Sequence, residues 1–316
     1  MLFQEIWDSL EEALVMSLEY IISPNKRVYF VYLATSFLLA FYVYHKTKIR
    51  SGFLNYVFNK KVWLGKSPSV DYGFLFFNSL VKVVLLAPII VYGVSLAFWT
   101  EEFLQNKLGI YEGELSPAFL LVAYTFAIVF VNDFFSFLVH YLMHKVPVLW
   151  EFHKVHHSAK VLNPFTQYRI HPIELIINNA RGIFVKGFIT GLFMYWANGS
   201  ISLITFLGIN IFNFVFYIWG ANLRHSHVKL KYFNFLEYFI ISPYQHQIHH
   251  SNNPDLYDRN MGSRLAIWDY LFGTLERSEN VEELEFGLDE ENNRDFSSFW
   301  GNLWMPFRNV YRRIKK

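Results

Sequence analysis

The segment HYLMHKVPVLWEFHKVHH, residues 140–157, and its echo HQIHH, residues 246–250, decide how this 316-residue chain is read. The first holds His140-x-x-x-His144 and then His153-x-x-His156-His157. The second repeats the latter pattern as His246-x-x-His249-His250. Residues three and four apart share one face of a helix, so each cluster aims its imidazoles at one point. Neutral imidazole suits iron, zinc and copper. Eight convergent rings exceed the four ligands of one tetrahedral zinc, so the pattern predicts a site for two metal ions.

Outward from these clusters the chain reads as membrane protein. Hydrophobic residues make up 53% and charged residues 17%, against roughly 25% charged in a typical soluble domain. Apolar stretches of near-spanning length cover residues 28–44, 83–99, 118–139, 183–197 and 201–219. Pro88 is tolerated as a kink, and Asn198-Gly199-Ser200 separates the last two stretches, which read as a hairpin whose first arm crosses only partway. Residues 63–72 read as a loop. The expectation is an all-α integral membrane protein with about four transmembrane helices and a cytosolic helical cap carrying the dimetal site. Its parts would be an amphipathic helix with the first two spans (1–115), a histidine-box domain (116–275) and a polar tail (276–316).

Loop charge orients the spans. Lys46, Lys48, Arg50, Lys60, Lys61 and Lys66 follow the first span, and Glu101, Glu102, Glu112 and Glu114 follow the second. The basic loop belongs in the cytoplasm, and alternating the spans brings all three histidine clusters to that same face. Residues 1–20 carry five acids and no Lys or Arg, unlike a signal peptide. Leu2, Ile6, Leu10, Leu14 and Leu18 recur there at helical spacing, reading as an amphipathic helix on the membrane or on the protein. Residues 276–296 are acid-rich surface. Arg308 to Lys316 reads as a disordered tail, with contact to anionic lipid the other reading. A net charge of +2 gives no case for nucleic acid, and zero cysteines exclude disulfides, thiolate-ligated haem and ordinary iron–sulfur clusters.

Beyond the eight, His225 follows a span and reaches the same face as a ninth ligand. His227, two residues on, faces away in a regular helix and ligates only if the chain is irregular. His171, before Pro172, is a ligand, a supporting donor or structural. The candidate metal set is therefore His140, His144, His153, His156, His157, His171, His225, His227, His246, His249 and His250. His45 reads as solvated. Asp133, two helical turns before His140, is the candidate catalytic or supporting carboxylate, because a buried acid at a membrane helix end marks function by default. Asn222, Asn252, Asp258, Asn260 and Asp269 are weaker supports. No His-Glu-x-x-His, nucleophile elbow or phosphate loop occurs. An all-imidazole metal pair beside lipid suits oxygen activation against an unactivated C–H bond.

These boxes, with FHKVHHSAKVLNPFTQYRIHP at 152–172 and SPYQHQIHHSNNPDLYDRNMGSRLAIWDYLFGT at 242–274, resemble the fatty acid hydroxylase / sterol desaturase superfamily, in its bacterial sterol-desaturase-like branch, over about residues 120–275. The resemblance implies a membrane-bound non-haem enzyme with two iron ions, using dioxygen and external electrons to hydroxylate or desaturate a membrane lipid. It implies that the eight clustered histidines, and His225, hold the metals. With no cytochrome-like domain fused, electrons come from a separate reductase or carrier protein. His227 stands where family members often have Asn, and Met261 replaces a commoner aromatic. A bacterial inner membrane fits better than an endoplasmic reticulum. The rival readings are a non-catalytic membrane metal-binding or transport protein and a zinc hydrolase.

Overall fold

The computed structural model describes residues 2–199 and 201–315. Ser200 of the predicted interhelical break, Met1 and Lys316 lie outside the described residues. The chain is mostly helical, with one two-stranded hairpin, β1 (Thr205–Phe206) against β2 (Ile209–Asn210).

The N-terminal stretch forms α1 (Leu2–Glu19), and its Ile6, Trp7, Leu10, Leu14 and Leu18 face outward. In α2 (Phe30–Lys46), Tyr32, Ser36, Ala40 and Val43 form the buried stripe, packed on residues around Tyr217, Leu223 and Leu230. Two short helices follow, α3 (Phe53–Val57) and α4 (Lys60–Trp63), then α5 (Lys66–Val81). The predicted loop at 63–72 is thus mostly helical. Gly65 is the extended N-cap of α5, and Pro68 falls in the first turn, where its missing N–H has no helical partner to lose.

A π segment (Lys82–Leu86) and a 3-10 turn (Ala87–Ile89) around Pro88 join α5 to α6 (Val91–Leu108). The kink expected at Pro88 is present, in a helical run that starts well before residue 83. Next comes α7 (Pro117–Lys145), capped by Ser116. With 29 residues it is about 43 Å long, longer than the ~30 Å hydrocarbon core, and His140 and His144 lie in its last turns.

Among the described residues, the run Lys66–Leu108 and α7 are the two helices long and apolar enough to cross a membrane, and only 33% and 28% of their apolar windows are buried by the protein. The remaining apolar surface, including Val94, Phe98, Phe126 and Phe130, needs a lipid cover. This is a membrane protein.

The expected four-span count is met only in part. The stretch 183–197 is the second half of α9 (Pro172–Ala197), which packs between α6 and α7. Gly187 makes this possible, since a Cβ there would lie 2.6 Å from the Gly93 carbonyl oxygen. The chain reverses at Asn198 in the left-handed conformation. The stretch 201–219 is not one helix. It contains the hairpin and then α10 (Ile211–Ile218), because Leu207-Gly208 adopts positive φ and breaks the run.

The cap is built from α8 (Pro147–His157), α11 (Pro243–His249), α12 (Ile267–Phe272), α13 (Glu290–Asp295) and α14 (Phe299–Ile314). The C-terminal stretch read as a disordered tail is α14. It docks on α8 and α5, with Asn302 buried and Arg313 bonded to Glu151. Trp300, Trp304, Phe307, Tyr311 and Ile314 remain exposed at helical spacing, the pattern of an interfacial helix.

Candidate metal centre

The structure brings nine of the eleven candidate histidines together. His140, His144, His153, His157 and His249 form one group, His156, His225, His246 and His250 a second, and within each the ligand atoms lie within 4.8 Å of one another. Helix α7 supplies the first pair, α8 the middle three, and α11 with its C-cap His250 the last three. The reason α8 and α11 divide their rings is angular: positions i and i+4, about 40° apart, go to one group, and i+3, about 60° and 100° from them, goes to the other. His225 joins from the irregular segment after α10, where Arg224 ends a 3-10 turn.

The nitrogens face each other at contact distance. His140 Nε2 lies 3.0 Å from His153 Nε2, and His225 Nε2 lies 3.1 Å from His246 Nε2 and 3.2 Å from His156 Nε2. Four of the opposite ring nitrogens hydrogen-bond to acceptors, and a fifth lies beside one. His140 Nδ1 donates to the Met261 carbonyl (2.6 Å), His249 Nδ1 to the Arg259 carbonyl (2.8 Å) and His156 Nδ1 to the Arg169 carbonyl (3.1 Å). His144 Nδ1 lies 3.1 Å from Asp258 Oδ1, and His153 Nδ1 lies 3.0 Å from Glu174 Oε1. A carbonyl or carboxylate oxygen only accepts, so the four hydrogen bonds put the proton on Nδ1 of His140, His144, His156 and His249 and leave their Nε2 atoms bare lone pairs, while the His153–Glu174 approach lacks hydrogen-bond geometry. Lone pairs facing lone pairs cannot hydrogen-bond, and the buried His144 and His249 Nε2 atoms have no partner at all. A cation between them satisfies every one, so the donor set fits metal. His246 differs. Arg224 Nη2 donates to its Nδ1 (2.9 Å), which leaves the proton on Nε2, and a metal there displaces it.

Burial favours the neutral, ligating form. It holds the His153 and His156 imidazoles down to about 3, and pushes His225, His246, His249 and His250 well below the ordinary value, with neighbouring rings adding to the effect. A stability prediction follows for metal-free protein. The unfolded chain takes up protons near pH 6.5, while the folded cluster resists them, so below that pH the unfolded state binds more protons and stability falls. The melting temperature of chelator-treated protein in detergent should hold above about pH 7.5 and drop progressively below about 6.5. A flat profile down to pH 5 would contradict the buried neutral cluster.

Three supports come from one turn. Asp258 and Asn260 both take positive φ, tolerated by Asp and Asn. The curl presents the Asp258 carboxylate, the Arg259 carbonyl and the Met261 carbonyl to His144, His249 and His140. Asp269 fixes the turn by accepting from the Met261 and Gly262 amides at 2.7 and 2.8 Å, and Asn260 bridges to the Gln245 carbonyl at 3.0 Å. Because Met261 acts through its backbone, a Met side chain in place of an aromatic leaves the contact intact.

Other candidates sit elsewhere. His171 is the N-cap of α9, its Nδ1 accepting from the Ile173 amide and its Nε2 donating to the Leu303 carbonyl. His227 donates to the Tyr56 carbonyl. Neither belongs to the two groups: capping consumes both nitrogens of His171, and the two-residue step turns His227 away from His225. Asp133 is fully buried, but its carboxylate accepts from the Leu265 amide and Trp268 Nε1 and lies 3.4 Å from Arg264 Nη1, with no bond to a histidine. Asn222 binds the Arg27 carbonyl, and Asn252 binds the Glu285 carbonyl through its backbone amide. Glu174 was not singled out from sequence. Its signal was its place three residues after His171, in the first turn of the helix that starts at Pro172.

Residues 125–274 match the family described as fatty acid hydroxylase. Over that stretch the chain is similar to members of the fatty acid hydroxylase / sterol desaturase superfamily. Human alkylglycerol monooxygenase is 25% identical over 185 residues, covering 54% of this chain and 36% of that protein. The ornithine lipid hydroxylase of Rhizobium tropici is 25% identical over 186 residues, covering 58% of this chain and 50% of its own. Human lathosterol oxidase is 24% identical over 170 residues, covering 52% and 48%. The chain thus spans half or less of the length of these relatives. No solved structure matches.

Proposed function

We propose that this chain is a membrane-bound oxidoreductase that holds two iron ions and hydroxylates or desaturates a lipid C–H bond, using dioxygen and electrons from a separate carrier protein. The observation that supports it most is the pair of imidazole groups, five and four strong, with Nε2 atoms turned inward. Five nitrogens in one group exceed a tetrahedral zinc and suit iron, which accepts imidazole and higher coordination. The ligands we propose are the nine grouped histidines, without His171 and His227.

The irons would supply the activation of dioxygen that an unactivated C–H bond requires. The chain's own residues do the rest. Asp258 and the carbonyls of Arg259, Met261 and Arg169 hold the Nδ1 protons of His144, His249, His140 and His156 and fix those rings, and Glu174 places a carboxylate 3.0 Å from His153 Nδ1. Asp133 acts as a positioning residue, tying α7 to the segment that carries Met261. The centre sits where α7 leaves the bilayer, so a lipid approaches it from the membrane side. On the cap side a ≈ 390 Å³ cavity reaches His144, His157 and His249 past Trp150 and Tyr257. The basic loop after α2 supports a cytoplasmic position for this end of the molecule. The rival of a transport protein is disfavoured because the grouped imidazoles gather at one end of the membrane helices and do not line a path across them.

The test incubates anaerobically purified protein, a chemical reductant and a lipid extract with ¹⁸O₂, and reads products by mass spectrometry. Label incorporated into a lipid supports hydroxylation, and an oxygen-dependent loss of two hydrogens supports desaturation. Turnover without oxygen or reductant would indicate a zinc hydrolase, and metal retention with no turnover a binding protein. Glu174→Gln, which removes the charge beside His153 Nδ1, should lower iron affinity about 10- to 100-fold in competition with a chelator. Unchanged affinity would remove Glu174 from the account.

A further inference from the structure

A second site lies apart from the histidines. Between α6 and α9 there is a cavity of ≈ 890 Å³ lined by no histidine and no acid. Five cationic side chains converge on its walls: Lys26, Lys82, Arg181, Lys186 and Arg264. Three of them are held by the protein. Lys82 Nζ donates to Tyr20 OH at 2.9 Å, Arg181 Nη1 donates to Asn132 Oδ1 at 3.0 Å, and Arg264 Nη1 is 3.4 Å from Asp133. Two carboxylates act on the set, Asp133 on Arg264 and Glu19 on Lys26, and the Tyr217 hydroxyl also bonds Arg264. The buried Nε atoms of Arg181 and Arg264 have no hydrogen-bond partner, and the Lys186 ammonium has none among the described residues.

Beyond the cations the walls are apolar, with Ile90, Val94 and Phe98 from α6 and Ile183 and Met194 from α9. From 183 to 194 this wall runs about 16 Å along the helix. Ile90, Val94 and Phe98 are more than half exposed, on a helical run whose apolar surface faces lipid, so the groove opens sideways into the bilayer. Five cations against two carboxylates leave a positive surplus, which beside hydrocarbon is costly unless an anion joins it.

We infer that this groove binds one anionic phosphoglyceride, its phosphate among Lys26, Lys82, Arg181, Lys186 and Arg264 and one acyl chain along α6 and α9. Charge complementarity selects a net-negative head group, and the apolar wall selects a chain over a free anion. The site needs no metal, so its test stands apart from the oxygenase reading.

Full-length protein in neutral detergent is titrated with phosphatidylglycerol, phosphatidylcholine or inorganic phosphate, and bound lipid is counted by native mass spectrometry. The expected result is one phosphatidylglycerol per chain, held about tenfold more tightly than phosphatidylcholine, and not displaced by millimolar phosphate. Lys186→Gln should weaken it about fivefold, the effect of one lysine near an anionic lipid. Lys186→Arg should restore it, and Lys107→Gln, at the far end of α6, should leave it unchanged. Equal affinity for the two lipids, or an equal loss in the Lys107 variant, would overturn the site. Displacement by phosphate alone would make it an adventitious small-anion site and overturn the lipid assignment.

Discussion

Replacing His249 with alanine is expected to empty the five-histidine group and to lower lipid oxidation by more than about 100-fold, since losing a ligand exceeds the 10- to 100-fold cost of losing a ligand's support. His249 carries the argument because its ring is fixed from behind by the Arg259 carbonyl at 2.8 Å while its buried Nε2 has no partner. Its truncation removes one nitrogen from a group whose other members come from α7 and α8. The contrast is His227→Ala, which loses the bond to the Tyr56 carbonyl and the ring contact with Tyr56 and should keep its iron. Activity per chain and iron per chain, measured together, check both variants. Full iron in His249→Ala, or iron loss in His227→Ala, would contradict the assignment of the two groups.

The second large effect is on stability. Asp71 and Arg169 are 0% and 1% exposed and joined at 2.7 Å, and Asp71 also accepts from Asn163 (3.1 Å) and Thr166 (2.8 Å). Asp71→Ala leaves the Arg169 guanidinium buried without its counter-ion, at a cost of about 3–5 kcal/mol. Because the Arg169 carbonyl holds His156, the same change should loosen the four-histidine group, so iron should fall along with the melting temperature. Replacing both, Asp71→Ala with Arg169→Met, should recover much of the stability, since an apolar pair carries no unpaired charge. Thermal unfolding in detergent decides the matter. A single variant as stable as the parent would show that the pair is not the clamp described.

The ligand geometry was legible in the sequence because helical periodicity is a local rule. His153, His156, His157, His246, His249 and His250 share one side of their helices as the spacing implies, but neither cluster aims at a single point: each divides its rings between the two groups. His225 was reachable from its position after an apolar stretch. The supports were less legible. Glu174 and the Arg169 carbonyl act across the fold, and spacing says nothing about which carbonyl a ring meets. Asp258 was visible only as a nearby acid, while the paired left-handed residues that aim its whole turn belong to backbone geometry. Asp133 shows the limit from the other side: two helical turns from His140 put it near the centre, yet the amide of Leu265 and the indole of Trp268 claim its carboxylate. Hydropathy found α7 and the kinked run through Pro88, but treated residues 201–219 as one span because their composition is apolar throughout. Positive φ at Leu207 and Gly208 breaks that stretch, and hydropathy does not register backbone sign. The helix α14 was hidden for a related reason, since its stability comes from docking on α8 and not from its own propensity.

The central claim is that the two imidazole groups hold a pair of irons. The most direct test is metal analysis with Mössbauer spectroscopy on protein purified anaerobically from iron-57-grown cells. The account predicts about two irons per chain, magnetically coupled, in nitrogen-rich coordination. Zinc in their place, or no coupled iron under conditions that retain labile metal, would contradict it.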